Sequence, residues 1–180
     1  MKIIRIFGDN LFSIKYAGEE KDEFSRLFEL WQNPEYLETF FEKHKSDLEN
    51  GFWGSLSIEK AMYKTFLQAS EFERIFLGVS KEKPLGQIKS LEEVFSPLHN
   101  SQYYNLTLLK SKARRRWLRL YGLRVENDIY LITGGTIKLT RRMQEREHTK
   151  NELVKIEKCR RYLIDHGIVD LEGIIEEIKC

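Results

Sequence analysis

The chain has 180 residues, of which 41% are hydrophobic and 12% aromatic, enough to bury a substantial core. No apolar run approaches the roughly 18 residues of a membrane span, MKIIRIFGDNLF lacks a signal peptide's long apolar core, and Cys159 and Cys180 are too few for a disulfide framework or a metal knuckle, so a cytoplasmic protein that needs no membrane is expected. The net charge of +2 is unevenly spread: residues 1–104 hold 13 Lys and Arg against 17 Asp and Glu, residues 105–150 hold 12 against 4, and residues 151–180 hold 5 against 7.

KIIRIF and LFSIKY flank Gly8-Asp9-Asn10, so residues 2–16 read as a hairpin. A helix is predicted near 21–32, with Phe24, Leu27, Phe28 and Trp31 at helical spacing. Asn33-Pro34 supplies an N-cap and an N1 proline for a second helix over 34–49, whose apolar face is Leu37, Phe40 and Phe41. Gly51 to Gly54 is a break, and Ser57 starts a third helix to about Leu77. Ser90-x-x-Glu93 is a capping box for a short helix ending before Pro97.

The texture then changes from helical to alternating. Strands are predicted over 103–109, 115–125 and 129–133, with a turn at Asn127-Asp128. Gly134-Gly135 interrupts the last strand, which continues over 136–140 past a bulge. Thr149-x-x-Glu152 caps a helix to about His166, which Gly167 ends, and Asp170 caps a last short helix. The expected fold class is α+β: an N-terminal hairpin and helices on a mainly antiparallel sheet, followed by a C-terminal helix.

The stretch KARRRWLRLYGLRV, residues 112–125, alternates like a strand yet carries Lys112, Arg114, Arg115, Arg116, Arg119 and Arg124. With a two-residue turn and no bulge before Gly134, Arg119 lies opposite Thr136, Trp117 opposite Lys138, and Arg115 opposite Thr140. All six then share one sheet face, while Leu118 and Leu120 face the helices. A bulge at the glycines would move Lys138 to the other face. Tyr121 extends the row, and Arg141, Arg142 and Lys150 follow it. Basic groups interleaved with aromatics suit RNA, since guanidinium groups grip phosphates and rings stack on unpaired bases. The bland alternatives are a solvated face paired with acidic helices, and a second small core around Trp117 and Tyr121 beneath the C-terminal helix.

The same row admits metal-independent RNA cleavage. An arginine would neutralise charge on the phosphoryl oxygens, and a lysine of lowered pKa would transfer a proton. No paired-carboxylate site, His-His-carboxylate triplet or Walker loop competes with it. His148, at the start of the last long helix, is either a general base or an exposed residue before the cap. His44 and His99 have no nearby partner in sequence, and Cys159 falls on a core-facing helical position.

LKSKARRRWLRLYGLRVENDIYLITGGTIKLTRRMQE, followed by a helix, resembles the second half of a RelE/HigB-like toxin of bacterial toxin–antitoxin systems. Arg116-x-x-Arg119-Leu120-Tyr121 matches that family's basic strand, and Tyr130-Leu131-Ile132 running into Lys138 and Arg141-Arg142 matches its apolar strand with a basic end. The resemblance covers about residues 88–165. It implies a single RelE-like domain over 1–180, with an N-terminal extension (1–87) and a C-terminal helical segment (149–180). It also implies mRNA cleavage by 2′-OH attack, without metal or cofactor. Arg119 would stabilise the phosphate with Arg115 or Arg116 assisting, and Lys138 would donate a proton or clamp a second phosphate. Trp117 or Tyr121 would stack a base, with Lys112, Arg114, Arg141 and Arg142 as further RNA contacts. The implied partners are mRNA or the ribosome and a cognate antitoxin with a helix-turn-helix domain. The alternatives are a non-catalytic RelE/ParE-like module that binds RNA or a protein, and a plain interaction protein.

Overall fold

A computed structural model describes residues 1–49, 51–79, 90–98 and 108–179. The N-terminal hairpin forms as the turn residues require: β1 (Lys2–Phe7) and β2 (Leu11–Lys15) pair antiparallel about Gly8, whose φ is +51°. Four described α-helices follow it before the next strand. Helix α1 (Glu23–Gln32) starts at Asp22, which accepts from Ser25 N at 3.1 Å, and Ser13 Oγ accepts from Phe24 N at 2.9 Å. Helix α2 (Pro34–Lys43) starts at Asn33, whose Oδ1 accepts from Tyr36 N at 2.9 Å. The predicted 34–49 helix is broken at His44, and α3 (Lys45–Glu49) is a separate turn. Helix α4 (Ile58–Val79) then runs 22 residues.

The C-terminal half builds the sheet. Strands β3 (Phe95–Pro97), β4 (Leu109–Arg115), β5 (Leu118–Glu126) and β6 (Ile129–Ile137) extend the hairpin into six strands in the order β1-β2-β6-β5-β4-β3. Among the described residues, only β2 and β6 pair parallel; the other described pairs are antiparallel. Helices α5 (Glu147–Asp165) and α6 (Leu171–Lys179) follow. The fold is α+β, with a C-terminal helical segment after a mixed, mainly antiparallel sheet.

Period two sorts the side chains. Leu118, Leu120, Tyr130, Ile132 and Ile137 join Phe24, Phe28, Trp31, Phe41 and Phe72 in one core beneath α1, α2 and α4. Tyr121, Leu123, Val125 and Leu131 join Ile156, Cys159 and Leu163 in a second core beneath α5. Burying each large side chain contributes about 1.5–3 kcal/mol, so both cores hold the sheet between helical layers.

Several expectations are corrected. The predicted strand over 115–125 is two strands, because the chain reverses at Arg116-Trp117, with Arg116 at φ +50°. The strand expected over 103–109 lies outside the described residues apart from its last two positions, and β4 begins at Leu109. Gly134 and Gly135 do not interrupt β6, which runs through them. Thr149 is not an N-cap: α5 starts at Glu147, and the Thr149 hydroxyl donates back to Arg146 O at 2.8 Å. Ser90 makes no side-chain cap; the short 3-10 helix Leu91–Glu93 is instead tied to the β5–β6 turn, where Asp128 N donates to Glu92 Oε1 at 3.0 Å.

Candidate functional site

Register decides which basic side chains meet. Arg119 lies opposite Thr136, as the two-residue turn predicts, and Lys138 N donates to Trp117 O at 2.8 Å. This register survives because two bulges cancel: Val125 is extra on β5, and Thr133 is extra on β6. On the other side of β5, Arg114 lies opposite Arg119 and Lys112 opposite Tyr121. Arg114, Arg119, Lys112, Tyr121 and Lys138 therefore share the sheet face that α5 covers only in part.

Beyond the start of α5 that face opens into a cleft of about 570 Å³. Lys112, Arg114, Arg119, Lys138, Arg141 and Arg142 line it, together with Tyr121, Met143, Phe52 and Trp53. Lys112, Arg119 and Lys138 are half-buried, and Arg114, Arg141 and Arg142 are exposed. Lys138 Nζ donates to Thr140 O and Arg141 O, both at 2.6 Å, which fixes the loop after β6. Arg119 Nη1 donates to Leu118 O at 2.8 Å and to Arg116 O. Lys112 Nζ donates to Leu98 O at 3.2 Å.

These contacts are to neutral carbonyls. Among the described residues, none of the six cations lies within ion-pair distance of a carboxylate, whereas Lys110, Arg115, Arg124, Arg146 and Lys155 all do. Burial, with crowding by neighbouring cations, destabilises the charged forms. Burial, then Arg114 and Arg119, pulls Lys112 below the usual lysine range. Burial, then Arg119, pulls Lys138 down, with Glu145 partly opposing. Burial also lowers Arg119, with Arg114 adding to it and Tyr121 opposing. A concave site with several cations and spare N–H donors binds anions that offer several oxygens, phosphate esters foremost.

Not every predicted residue belongs to the cleft. Arg115 points to the helical face and pairs with Glu71. Arg116 sits in the turn with its guanidinium over the Trp117 ring at 5.3 Å and the Trp53 ring at 6.0 Å. Both line a separate groove with Lys64, Leu67, Gln68 and Glu71. Trp117 is fully buried in the N-terminal helical core, where its Nε1 donates to Thr65 Oγ1 at 3.0 Å. The Tyr121 ring is buried beneath α5 and its hydroxyl donates to Met143 Sδ at 3.3 Å. Neither ring can offer its face to a base. Thr140 does not oppose Arg115, because the chain has already turned back at Arg116.

Among the described residues, no histidine lines the cleft. His148 Nε2 lies 3.0 Å from Ile137 O, and its ring meets His44 and Phe40, outside the cleft. Burial lowers both histidines, and His148 adds to the effect on His44. His99 lies outside the described residues. Cys159 is buried, and burial pushes its thiol up to about 11, which leaves it a core residue. Among the described residues, no group of three or more His, Cys, Asp or Glu side chains could hold a metal ion, and no helix is long and apolar enough to cross a membrane.

The cleft also contains two residues that the strand argument missed, Phe52 and Trp53. Their signal in the sequence is Gly51-Phe52-Trp53-Gly54: two aromatics between two glycines are too apolar for an ordinary break. Trp53 Nε1 donates to Lys138 O at 3.0 Å and so brings the α3–α4 loop to the end of β6. Comparison of the chain with protein-family models, with curated proteins and with solved structures finds no match.

Proposed function

We propose that the cleft binds the sugar–phosphate backbone of RNA, and that this protein is a metal-independent endoribonuclease of the RelE-like toxin type. The observation that carries the reading is the gathering around one concave site of six cations, none of them within ion-pair distance of a carboxylate among the described residues. Arg119, with donors to spare, would hold the non-bridging oxygens of the scissile phosphate as charge grows on them. Lys138 would give its proton to the leaving 5′-oxygen. Two of its three N–H bonds are engaged by carbonyls, which leaves one to donate to a ligand. The 2′-oxygen attacks phosphorus and loses its proton to solvent, the P–O5′ bond breaks, and a 2′,3′-cyclic phosphate results. Lys112, Arg114, Arg141 and Arg142 would hold flanking phosphates. On this reading an antitoxin protein would silence the chain by covering the cleft with an acidic segment.

The second reading is a non-catalytic module of the same shape. It is favoured by the anchoring of Lys138 and Arg119 on backbone carbonyls, which suits fixed clamps as well as it suits catalysts. Purified protein incubated with RNA and EDTA, with and without ribosomes, separates the two. Cleavage products ending in a cyclic phosphate, with Arg119→Ala slowing their formation by about a hundredfold, support the nuclease. Salt-sensitive binding without cleavage leaves the module. Absence of both binding and cleavage ends both readings.

A further inference from the structure

One aromatic ring at the cleft wall is left largely open to solvent. Phe52 is 60% exposed, and among the exposed large hydrophobic residues described it is the one that lines the basic cleft; Tyr63, Phe66 and Leu67 lie on α4, and Val154 and Ile164 on α5. Its position is built rather than incidental. Gly54 N donates to Gly51 O at 3.2 Å, and Leu56 N donates to Leu48 O at 3.0 Å, which closes the loop between α3 and α4. Gly54 takes φ +84°, a value that favours glycine. At Gly51 an added Cβ would lie 1.7 Å from Asp47 O, so no side chain fits there. Trp53 is pinned by its bond to Lys138 O and packs edge-on against Trp117, with ring centroids 6.1 Å apart. The Phe52 ring stands edge-to-face on Trp53 with centroids at 5.1 Å. The turn thus turns one aromatic inward as an anchor and the other outward into the cleft.

An aromatic face held beside a row of uncompensated cations matches a nucleotide in both of its parts. The cations suit the phosphate, and the ring suits the apolar face of an unpaired base. A duplex hides those faces in its own stack and offers only phosphates. We propose that Phe52 forms a nucleobase subsite, so that the cleft selects single-stranded over double-stranded nucleic acid. The proposal rests on the cleft being a nucleic-acid site.

Fluorescence anisotropy titrations with a labelled oligouridylate and a labelled RNA duplex, at several salt concentrations, test it. Because Phe52 is exposed, Phe52→Ala should fold normally. Phe52→Ala is expected to weaken oligouridylate binding by about tenfold or more, leave duplex binding unchanged, and leave the salt dependence unchanged, since stacking displaces few counterions. Phe52→Trp should restore the affinity. If Phe52→Ala binds oligouridylate as well as wild type does, while joint replacement of Lys112, Arg119 and Lys138 by Ala abolishes binding, the base subsite is wrong and the cleft reading stands. If wild type binds neither RNA, or the triple replacement changes nothing, the cleft reading fails and the subsite with it.

Discussion

Two groups of charges in this molecule are built in opposite ways. Where α1, β6 and α5 meet, Glu23 is only 2% exposed, accepts from Arg26 at 2.8 and 2.9 Å, and accepts from Lys155 Nζ at 2.6 Å. Lys155 also reaches Glu152 Oε1 at 3.3 Å, so two carboxylates answer two cations. Tyr16 closes the group: its hydroxyl donates to Thr133 O at 2.7 Å and meets Cys159 Sγ at 3.1 Å. Gly134 makes room for it, since an added Cβ would fall 2.1 Å from Glu152 Oε2. Two residues along the same strand, Thr136 lies opposite Arg119 in the cleft, where none of the six cations lies within ion-pair distance of a carboxylate among the described residues and Glu145 alone acts on Lys138 from further off. A balanced buried group ties elements together. The cleft cations donate to nearby backbone carbonyls but gain no ion pair among the described residues, so their surplus of charge is explained by what the cleft binds.

The sharpest way to break this contrast is to remove one charge from each group. Glu23→Ala leaves Arg26 and Lys155 facing only the second carboxylate in a largely dry site, and should cost about 3 kcal/mol of stability. Arg119→Ala removes a half-buried cation crowded by Arg114, and should leave stability unchanged or slightly raised. Urea denaturation of both variants decides it. Equal losses would mean that the cleft's cations are structural.

A smaller effect sharpens the contrast by pH. Burial, with Glu23 adding repulsion and Lys155 opposing, pushes the Glu152 carboxyl up from an ordinary 4.5 to about 7. Between those values the folded chain holds a proton that the unfolded chain has lost, so this carboxyl makes stability fall as pH rises through the window. Glu152→Gln cannot ionise, so its stability relative to wild type should grow from about pH 5 to about pH 8, by on the order of 1–3 kcal/mol. His44 and His148 act in the opposite sense, because their folded values are lowered and their contribution is lost as pH falls below the usual histidine range. Both proteins keep those histidines, so the difference between them isolates Glu152. A difference that does not change with pH would mean that Glu152 is ionised throughout.

Much of this layout could be read from the chain, and the failures have definite causes. Phe24, Leu27, Phe28 and Trp31 repeat at helical spacing, and α1 buries all four. Arg119 and Thr136 could be paired because Asn127-Asp128 fixes a tight turn, and because the bulges at Val125 and Thr133 fall one on each strand. Trp117 could not be placed. Lys112 to Leu120 alternates on both sides of Arg116 and carries no Gly, Asn or Pro to announce a reversal. A non-glycine residue at positive φ is uncommon; here tertiary packing overrides local preference, with Trp117 buried against Thr65 and Arg116 over its ring. Lys112 and Arg114 reach the cleft for the same reason: the reversal brings β4 beside β5 and doubles the basic face. Phe52 was missed because a glycine-flanked break says nothing about which strand end it will touch. That contact is made through its neighbour Trp53, which bonds Lys138 O and packs on Trp117.

The smallest effect tests the period of β4 itself. Arg114 and Arg115 are chain neighbours, both exposed, and as charges they are the same. Alternation sends them to opposite faces of the sheet: Arg114 to the cleft, and Arg115 to Glu71 on α4. The Arg115–Glu71 pair leaves both side chains about half exposed, at 47% and 51%, so solvent screens it and its loss should cost under about 1 kcal/mol. Arg115→Ala should therefore lower stability slightly and leave the salt dependence of RNA binding where it was. Arg114→Ala should do the reverse: unchanged stability, and a slope of log affinity against log salt flatter by about 0.7, the share of one phosphate contact on a single strand. Paired denaturation curves and binding titrations on the two variants measure both quantities. If the two replacements flatten the slope equally, the basic band acts as a diffuse field rather than as a face, and the assignment of the cleft as the binding site loses its geometric basis.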